Sequence, residues 1–266
     1  MQLSGRHALI TGASHGIGVR LAREFHARGA RVTLLGRDEA RLTEVAAEVE
    51  GQVLVADLAD ERAVESVIDR AERGHGPVDV LVNNAGLGLV APAVENKPGQ
   101  AQTLMMVNAV APMELCRLVL PGMLARGTGN LVNVSTLAAV GAVPDLSLYG
   151  ASKAALHHYT SIAQRELRGT GVTMSLVTLG EVAGTGMMEQ ARQSPLIAAV
   201  SKRLALAIPV LTPEAVARQL ADSVERDALV TTIPRRLGVA VTLRNLPNTL
   251  QDLAFVGLHR DRPIRS

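Results

Sequence analysis

The chain has 266 residues, of which 47% are hydrophobic and 20% are charged, and it carries a formal net charge of +2. This composition is typical of a folded globular protein, and the length favours one large α/β domain. The near-neutral charge, without runs of Lys and Arg interleaved with aromatic residues, argues against a nucleic-acid partner.

The numbers and positions of cysteine and histidine residues narrow the possible classes of protein further. Cys116 is the only cysteine, and the seven histidines have no metal-ligand spacing, so we expect neither an intrachain disulfide nor a metal site. Residues 1–10 lack a signal-peptide pattern, and no uninterrupted apolar run reaches transmembrane length. These features lead us to expect a soluble, cytoplasmic protein.

Seven short β-type runs alternate with longer helical patterns along the chain. The predicted strands are 7–11, 31–35, 52–56, 78–82, 130–134, 172–177 and 229–233. Their nearly continuous apolar character indicates strands buried on both faces, and the amphipathic segments between them supply the covering helices. The sequence therefore predicts an α/β fold with a doubly wound parallel sheet of about seven strands and helices on both faces.

The regular alternation stops after the sixth strand. We predict that residues 183–212 cover a site, because so long an excursion inside a compact domain is usually functional. Its apolar residues suit either a mobile lid over an apolar substrate or ordinary packing of a helix face, and the sequence favours neither. They are Met187, Met188, Leu196, Ile197, Val200, Leu204, Leu206 and Ile208.

Residues 236–266 form a tail beyond the predicted core, 5–235. The tail could pack over the substrate mouth, join a subunit interface or lie on a membrane surface. Its modest length and its proline break favour packing within the protein or at an interface over a membrane contact. Its apolar residues, which alternate with arginines, are Leu237, Val239, Val241, Leu243, Leu250, Leu253, Phe255 and Val256.

The stretch TGASHGIG, residues 11–18, follows the first strand and opens a helix. Gly12, Gly16 and Gly18 allow a tight turn and a close approach of the backbone to a ligand. Free N–H groups and the helix dipole favour a phosphate at this helix start. A plain strand-to-helix turn could use the same glycines, but the position directly after the first strand favours nucleotide binding.

The end of the second strand indicates which dinucleotide would bind. A fold that selects NAD normally places Asp or Glu there to bind the ribose 2′-hydroxyl, whereas this chain has Gly36 followed by Arg37. A guanidinium without a carboxylate suits a 2′-phosphate, so the predicted cofactor is NADP(H). We interpret Asp38 as a helix N-cap. His15 is either close to the 2′-phosphate or an exposed turn residue.

Tyr149 and Lys153, in the stretch YGASK, have the i, i+4 spacing that places two side chains on one helix face. A nearby ammonium stabilises a phenolate, so we expect Lys153 to lower the pKa of Tyr149 toward the range of a general acid or base. In isolation such a pair is more often a packing pair on an amphipathic helix. Its position after the fifth strand favours the chemical interpretation.

Together these motifs resemble those of the short-chain dehydrogenase/reductase family, in order and spacing, over roughly residues 5–235. The matching stretches are TGASHGIG (11–18), ADL (56–58), NNAG (83–86), VNAVAP (107–112) and YGASK (149–153). The resemblance implies a single Rossmann-like domain over 1–266 and a small-molecule carbonyl or alcohol substrate. It also implies a homodimer or homotetramer formed through two long helices.

The resemblance assigns roles to individual residues. It implies that Tyr149 is the general acid/base, that Lys153 also holds the nicotinamide ribose, and that Asn108 holds a water for proton transfer. For Asn83 and Asn84 a purely structural role remains open. The cofactor-binding residues that it implies are Gly12, Ser14, His15, Gly16, Ile17, Gly18, Arg37, Asp57, Leu58, Asn84, Ala85, Gly86, Tyr149, Lys153, Val182 and Thr185.

Two positions depart from the family pattern. The usual catalytic serine, thirteen residues before the tyrosine, is Thr136 here, and Ser135 is its neighbour. Either hydroxyl could orient a carbonyl, but only one of two adjacent side chains on a strand can face it, and we favour Thr136. After the sixth strand, Leu179-Gly180 replaces Pro-Gly, which leaves the start of the following loop less constrained.

The resulting expectation is an NADP(H)-dependent oxidoreductase that interconverts a secondary alcohol and a ketone or aldehyde, on an apolar substrate. The alternative is a catalytically silent NADP(H)-binding regulator or scaffold, since a fold alone does not establish activity.

Overall fold

In the computed structural model, which describes residues 1–192, 194–204 and 210–238, seven strands form one parallel sheet in the order β3-β2-β1-β4-β5-β6-β7. The predicted α/β fold with a doubly wound parallel sheet is confirmed. The strands are β1 (His7–Thr11), β2 (Arg31–Gly36), β3 (Gln52–Val55), β4 (Val80–Asn83), β5 (Gly129–Thr136), β6 (Val172–Leu179) and β7 (Val230–Ile233).

Helices cover both faces of the sheet. They are α1 (Gly16–Ala27), α2 (Glu39–Val49), α3 (Glu61–Glu65), α4 (Val67–His75), α5 (Gln100–Met105), α6 (Ala111–Arg126), α7 (Ser147–Glu166), α8 (Gly186–Ala191), α9 (Pro195–Leu204) and α10 (Pro213–Glu225). On one face, buried apolar residues of α1, α2 and α10 pack on the sheet. On the other, those of α4, α6 and α7 do so. Apolar burial on both faces explains why the strands read as continuous apolar runs.

Strand β5 runs two residues further than the sequence predicted. It pairs with β6 along its whole length, from Gly129 opposite Val172 to Thr136 opposite Leu179. Strand β6 lies beside β5 to the end, so the backbone of Ser135 and Thr136 is held in the sheet. Both candidate hydroxyls therefore lie on a rigid strand end.

The segment Gln100–Arg126 is continuous helix, with a π-helical turn at Met106–Val110 between α5 and α6. By length and composition alone it could cross a membrane, although half of its most apolar window is buried inside the protein. Leu115 and Met123 of α6 are fully buried in the core. This burial is what a core helix of an α/β protein shows, because such a helix covers a sheet face.

The sheet order changes direction at β1, which lies between β2 and β4. In doubly wound sheets, ligands bind in the crevice outside the carboxyl ends of the strands at such a switch point. The loops that follow β1, β2, β3, β4, β5 and β6 meet at this edge, so the predicted motifs converge there.

The predicted covering segment, 183–212, contains α8 and α9. Met187 and Met188 lie in α8, while Leu196, Ile197, Val200 and Leu204 lie in α9. Leu206 and Ile208 lie outside the described residues. In the predicted tail, Leu237 ends a short 3-10 turn, and the apolar positions from Val239 to Val256 lie outside the described residues.

Candidate active site

A cleft of about 580 Å³ lies at the carboxyl ends of the strands. It brings together most of the residues that the sequence predicted, although Gly18 and Asn108 do not line it. The predicted residues on its wall are Gly12, Ser14, His15, Gly16, Ile17, Arg37, Asp57, Leu58, Asn84, Ala85, Gly86, Ser135, Thr136, Tyr149, Lys153, Val182 and Thr185.

The glycine loop has the geometry that a bound phosphate requires. Gly12 and Gly16 have positive φ angles, 68° and 56°, which L side chains rarely adopt. A Cβ on Gly18 would lie 2.0 Å from the Gly12 carbonyl oxygen, so only glycine lets α1 pack this closely on the loop. His15 is the N-cap of α1 and its side chain forms no cap hydrogen bond, so the helix start offers backbone N–H groups to an anion.

The far end of the cleft carries the charges expected for the adenosine side. Gly36 ends β2, and Arg37 beside it is exposed, with Nη1 3.9 Å from Asp57 Oδ2. Asp38 accepts a hydrogen bond from the Arg41 N–H and caps α2, as predicted. His15 Nε2 lies 3.9 Å from Asp38 Oδ2, which places its ring near this group of charges. Arg37 thus gives this end of the cleft a cation, and the His15 ring lies nearby.

The two asparagines of NNAG both have structural partners. Asn83 Nδ2 donates to Asn133 Oδ1 (2.8 Å), and Asn133 Nδ2 donates to Thr160 Oγ1 (2.9 Å), which joins β4, β5 and α7. Asn84 Nδ2 donates to the Thr11 carbonyl oxygen at 3.0 Å. The structural role that the sequence left open is therefore present at Asn83 and at Asn84, and Asn84 also lines the cleft.

Tyr149 and Lys153 lie in the first two turns of α7 and are both buried. The Lys153 ammonium donates to the Val134 carbonyl oxygen at 3.0 Å. Burial lowers the pKa of Lys153 to about 8. Burial also raises the pKa of Tyr149 to about 12, although a hydrogen bond with Thr136 opposes the rise.

The expectation that the pKa of Tyr149 lies below its usual value is therefore wrong for this structure, because burial outweighs any stabilisation of the phenolate. Removal from water disfavours both charged forms, and for both groups it is the largest effect. At neutral pH the phenol keeps its proton, and the ammonium is mostly charged. The pair holds a neutral proton donor beside a cation.

The two candidate hydroxyls on β5 have different surroundings. The Thr136 hydroxyl forms a hydrogen bond with the Tyr149 hydroxyl. Ser135 is 2% exposed, and its Oγ has no hydrogen-bond partner among the described residues. The contact with Tyr149 supports Thr136 as the hydroxyl that acts with the phenol, although both side chains line the cleft.

Asn108 lies in the π-helical turn with its side-chain amide fully engaged. Its Nδ2 donates to the Leu87 carbonyl oxygen (2.8 Å) and to Ser152 Oγ (3.0 Å), and its Oδ1 accepts from the Leu87 N–H (2.8 Å). The side chain fixes the loop after β4 against α7. The Asn108 carbonyl cannot accept the usual i+4 helical bond, because Pro112 has no N–H. This carbonyl could therefore accept a hydrogen bond from a water.

The turn after β6 faces the glycine loop. Thr185 Oγ1 donates to the Val182 carbonyl oxygen (3.1 Å), and its methyl carbon lies 3.8 Å from where a Gly16 Cβ would be. Although Leu179 replaces the family's proline, the backbone here is fixed in another way. The Ala183 N–H donates to the Leu211 carbonyl oxygen (2.8 Å), and Val182 and Leu211 form a parallel β-bridge.

The end of the cleft beyond Tyr149 is mainly apolar. Met188 and Ile197 of the covering segment line it, which supports the lid interpretation for those two residues. The other apolar residues on this wall are Leu87, Leu89, Val90, Leu137, Val143 and Leu146. Such a surface favours an apolar ligand.

Two further residues of the site were missed by the sequence reasoning. Ser152 accepts the hydrogen bond from Asn108 and donates to the Tyr149 carbonyl oxygen at 2.8 Å. Glu181 lines the cleft directly after β6. Its position at a strand's carboxyl end was the only signal in the sequence that could have identified it.

The family model for short chain dehydrogenases matches residues 6–196. The ketoacyl reductase HetN of Nostoc sp. is 37% identical over 205 residues, which cover 75% of this chain and 71% of that protein. A fatty acyl-CoA reductase of Mycobacterium tuberculosis is 35% identical over 180 residues, 65% of this chain and 61% of that protein.

Two solved structures show the same architecture. A metagenomic short-chain oxidoreductase in complex with NADP is 32% identical, with a TM-score of 0.68 and coverage of 87% of this chain and 96% of that one. A blue fluorescent protein from a metagenomic library in complex with NADPH is 27% identical, with a TM-score of 0.77 and coverage of 88% and 98%.

The convergence of the motifs on one cleft and the match to the family model lead to the same conclusion. The chain belongs to the short-chain dehydrogenase family, whose members are oxidoreductases that act on CH–OH and C=O groups with NAD(P)(H).

Proposed function

We propose that the protein is an NADP(H)-dependent carbonyl reductase, and that Tyr149 is its general acid/base. The observation that carries this proposal is the contact between the Thr136 and Tyr149 hydroxyls, beside the buried Lys153 ammonium, in the same cleft as the glycine loop. A binding protein without turnover has no need of a buried phenol and ammonium, whose burial disfavours their charged forms.

The nucleotide end supports NADP(H) over NAD(H). Gly36 stands where a carboxylate would bind a ribose 2′-hydroxyl, and the Arg37 guanidinium can pair with a 2′-phosphate. The backbone N–H groups at the start of α1 and the glycine loop would hold the pyrophosphate. Bound there, NADPH would supply the hydride that reduces the carbonyl carbon.

The protonation states in the cleft are those that carbonyl reduction requires. Because the pKa of Tyr149 is about 12, the phenol carries its proton at neutral pH and can donate it to the carbonyl oxygen. The Thr136 hydroxyl orients that oxygen next to the phenol. The Lys153 ammonium stabilises the phenolate that is left after proton donation.

Reprotonation of Tyr149 needs a path to water. The Asn108 carbonyl, which lacks an i+4 partner because of Pro112, is a suitable acceptor for a water on that path. The Asn108 side chain positions this carbonyl through its bonds to Leu87 and Ser152. Asn108 thus combines the relay role and the structural role.

The apolar end of the cleft favours a medium or large apolar ketone or aldehyde. Met188 and Ile197 contribute adaptable apolar contacts from the covering segment. A ketoacyl reductase and a fatty acyl-CoA reductase are among the relatives, which supports an acyl-type carbonyl compound.

A turnover panel tests the proposal. NADPH and NADH consumption would be measured with aliphatic ketones, aldehydes and 3-oxoacyl esters of increasing chain length. We expect kcat/KM to rise with chain length and to be higher with NADPH. Turnover of small polar carbonyls alone would overturn the substrate class. Tight NADPH binding without turnover of any carbonyl would overturn the reductase proposal in favour of the scaffold alternative.

A further inference from the structure

Glu181 places a carboxylate on the apolar end of the cleft. The residue follows β6 after Gly180, and its backbone is fixed because the Leu211 N–H donates to the Glu181 carbonyl oxygen at 3.0 Å. The carboxylate is therefore anchored at the rigid edge of the sheet.

The carboxylate is only partly satisfied by the protein. The Ser201 hydroxyl, from α9, donates to Glu181 Oε2, and Ser201 is 7% exposed. The second oxygen, Oε1, has no hydrogen-bond partner among the described residues, and none of their Lys or Arg side chains forms an ion pair with Glu181. An acceptor with free capacity thus remains on the wall of the cleft.

The other charge on this part of the wall, the Lys153 ammonium, is held beside β5 and forms no ion pair with Glu181. Lys153 Nζ is buried and donates to the Val134 carbonyl oxygen. The remaining lining residues here are mainly apolar, so they give no compensation to a second negative charge. A substrate with a carboxylate beside its carbonyl would meet Glu181 in a mainly apolar part of the cleft, where like charges repel more strongly than in bulk water.

We propose that Glu181 determines which substrates the cleft accepts according to their charge. It discriminates against carbonyl compounds with a neighbouring anionic group and accepts a hydrogen bond from a neutral donor on the substrate. This inference rests on the proposed carbonyl reduction and deepens it. The cleft then takes esters, amides or hydroxyketones in preference to oxo acids, a form of selection by repulsion.

A matched substrate pair tests the inference, because 3-oxohexanoate and its methyl ester have the same carbonyl and differ in charge. For the wild-type protein we expect kcat/KM to be at least about tenfold higher for the ester. In Glu181→Gln, which keeps the size and loses the charge, this ratio should fall by about tenfold.

Two control variants distinguish the effect of the Glu181 charge from the effect of the hydrogen bonds that attach α9. Ser194 Oγ donates to Asp145 Oδ2 at 3.0 Å just before α9, and Asp145 does not line the cleft. Asp145→Asn removes a carboxylate that bonds to the same segment, and Ser201→Ala removes the hydroxyl but leaves the Glu181 charge. Both should keep the ester-to-acid ratio within about threefold of the wild type, because the cleft carboxylate remains.

Inhibition of the wild-type protein gives the same test without a substitution. Hexanoate should inhibit at least about tenfold more weakly than hexanamide. Equal inhibition by hexanoate and hexanamide would overturn the role of Glu181 but not the proposed carbonyl reduction. An ester-to-acid ratio that Glu181→Gln leaves unchanged would do the same. Absence of turnover with every carbonyl of the panel would overturn the proposed function and this inference with it.

Discussion

The two ends of the cleft are built differently: the nucleotide end is exposed, whereas the catalytic end depends on buried side chains. At the nucleotide end, backbone N–H groups and glycines form the surface, and the Arg37 side chain is 65% exposed. At the catalytic end, Tyr149 is 8% exposed and Lys153 is 4% exposed. Exposed charges are screened by water and salt, whereas buried charges interact strongly and shift their own pKa values.

This difference indicates where a substitution should matter most. Removal of a buried group changes the charge, hydrogen bonding and packing of a dry site. Removal of an exposed guanidinium changes one screened contact. We therefore expect large effects on catalysis at the catalytic end and moderate effects on cofactor choice at the nucleotide end.

Apart from substitution of Tyr149, Lys153→Met is expected to cause the largest loss of kcat/KM at the catalytic end. This change removes the ammonium that stabilises the phenolate and the bond to the Val134 carbonyl. We expect kcat/KM for ketone reduction to fall by about 10³-fold. Lys97→Met, at an exposed lysine, is the matched control and should keep wild-type turnover. A comparable loss in both variants would remove the distinction between buried and exposed cations.

Substitution of the two β5 hydroxyls distinguishes Thr136 from Ser135. Thr136→Ala removes the hydroxyl that contacts Tyr149, and we expect about 10²-fold lower kcat. Thr136→Ser should restore most of this loss because it keeps the donor. Ser135→Ala should lower kcat by less than about threefold, since Ser135 has no such contact. The reverse order of effects would assign the role to Ser135.

The low pKa of Lys153 predicts how the rate depends on pH. As pH rises through about 8, the ammonium of the free protein loses its proton and the stabilising charge is lost. Above that pH, kcat/KM for reduction should fall by about tenfold per pH unit. Tyr149, with a pKa of about 12, keeps its proton over this range. A flat profile of kcat/KM from pH 7 to about 10 would contradict the role of Lys153.

The smallest effect is expected at the exposed end. Arg37→Ala should reduce the preference for NADPH over NADH by about tenfold, and less at high salt, because the lost contact is screened. Arg41→Ala, which removes a nearby exposed arginine that does not line the cleft, is the control and should keep the preference. Equal losses for NADPH and NADH in Arg37→Ala would contradict a 2′-phosphate contact.

Most of the site could be predicted from the sequence because its residues lie at strand ends and helix starts. The glycine loop and the end of β2 could be read directly, since their chemistry depends on backbone geometry and on residue type. The direction of the Tyr149 pKa shift could not be predicted, because it depends on how completely α7 is buried.

Contacts between distant segments could not be predicted from the sequence either. Ser152 contacts Asn108 because two helices cross, and Ser201 contacts Glu181 because α9 packs over the end of β6. Neither pair has a sequence spacing that indicates proximity. The sequence therefore predicted which residues gather at the sheet edge, but not which of them would touch.

The most direct test of the account is Tyr149→Phe, which removes the phenol hydroxyl and keeps the ring. NADPH affinity and ketone turnover would be measured on the same preparation. We expect NADPH affinity to remain within about threefold of the wild type and kcat to fall by about 10³-fold or more, because the proton donor is lost. Unchanged turnover in Tyr149→Phe would contradict general acid catalysis by this residue.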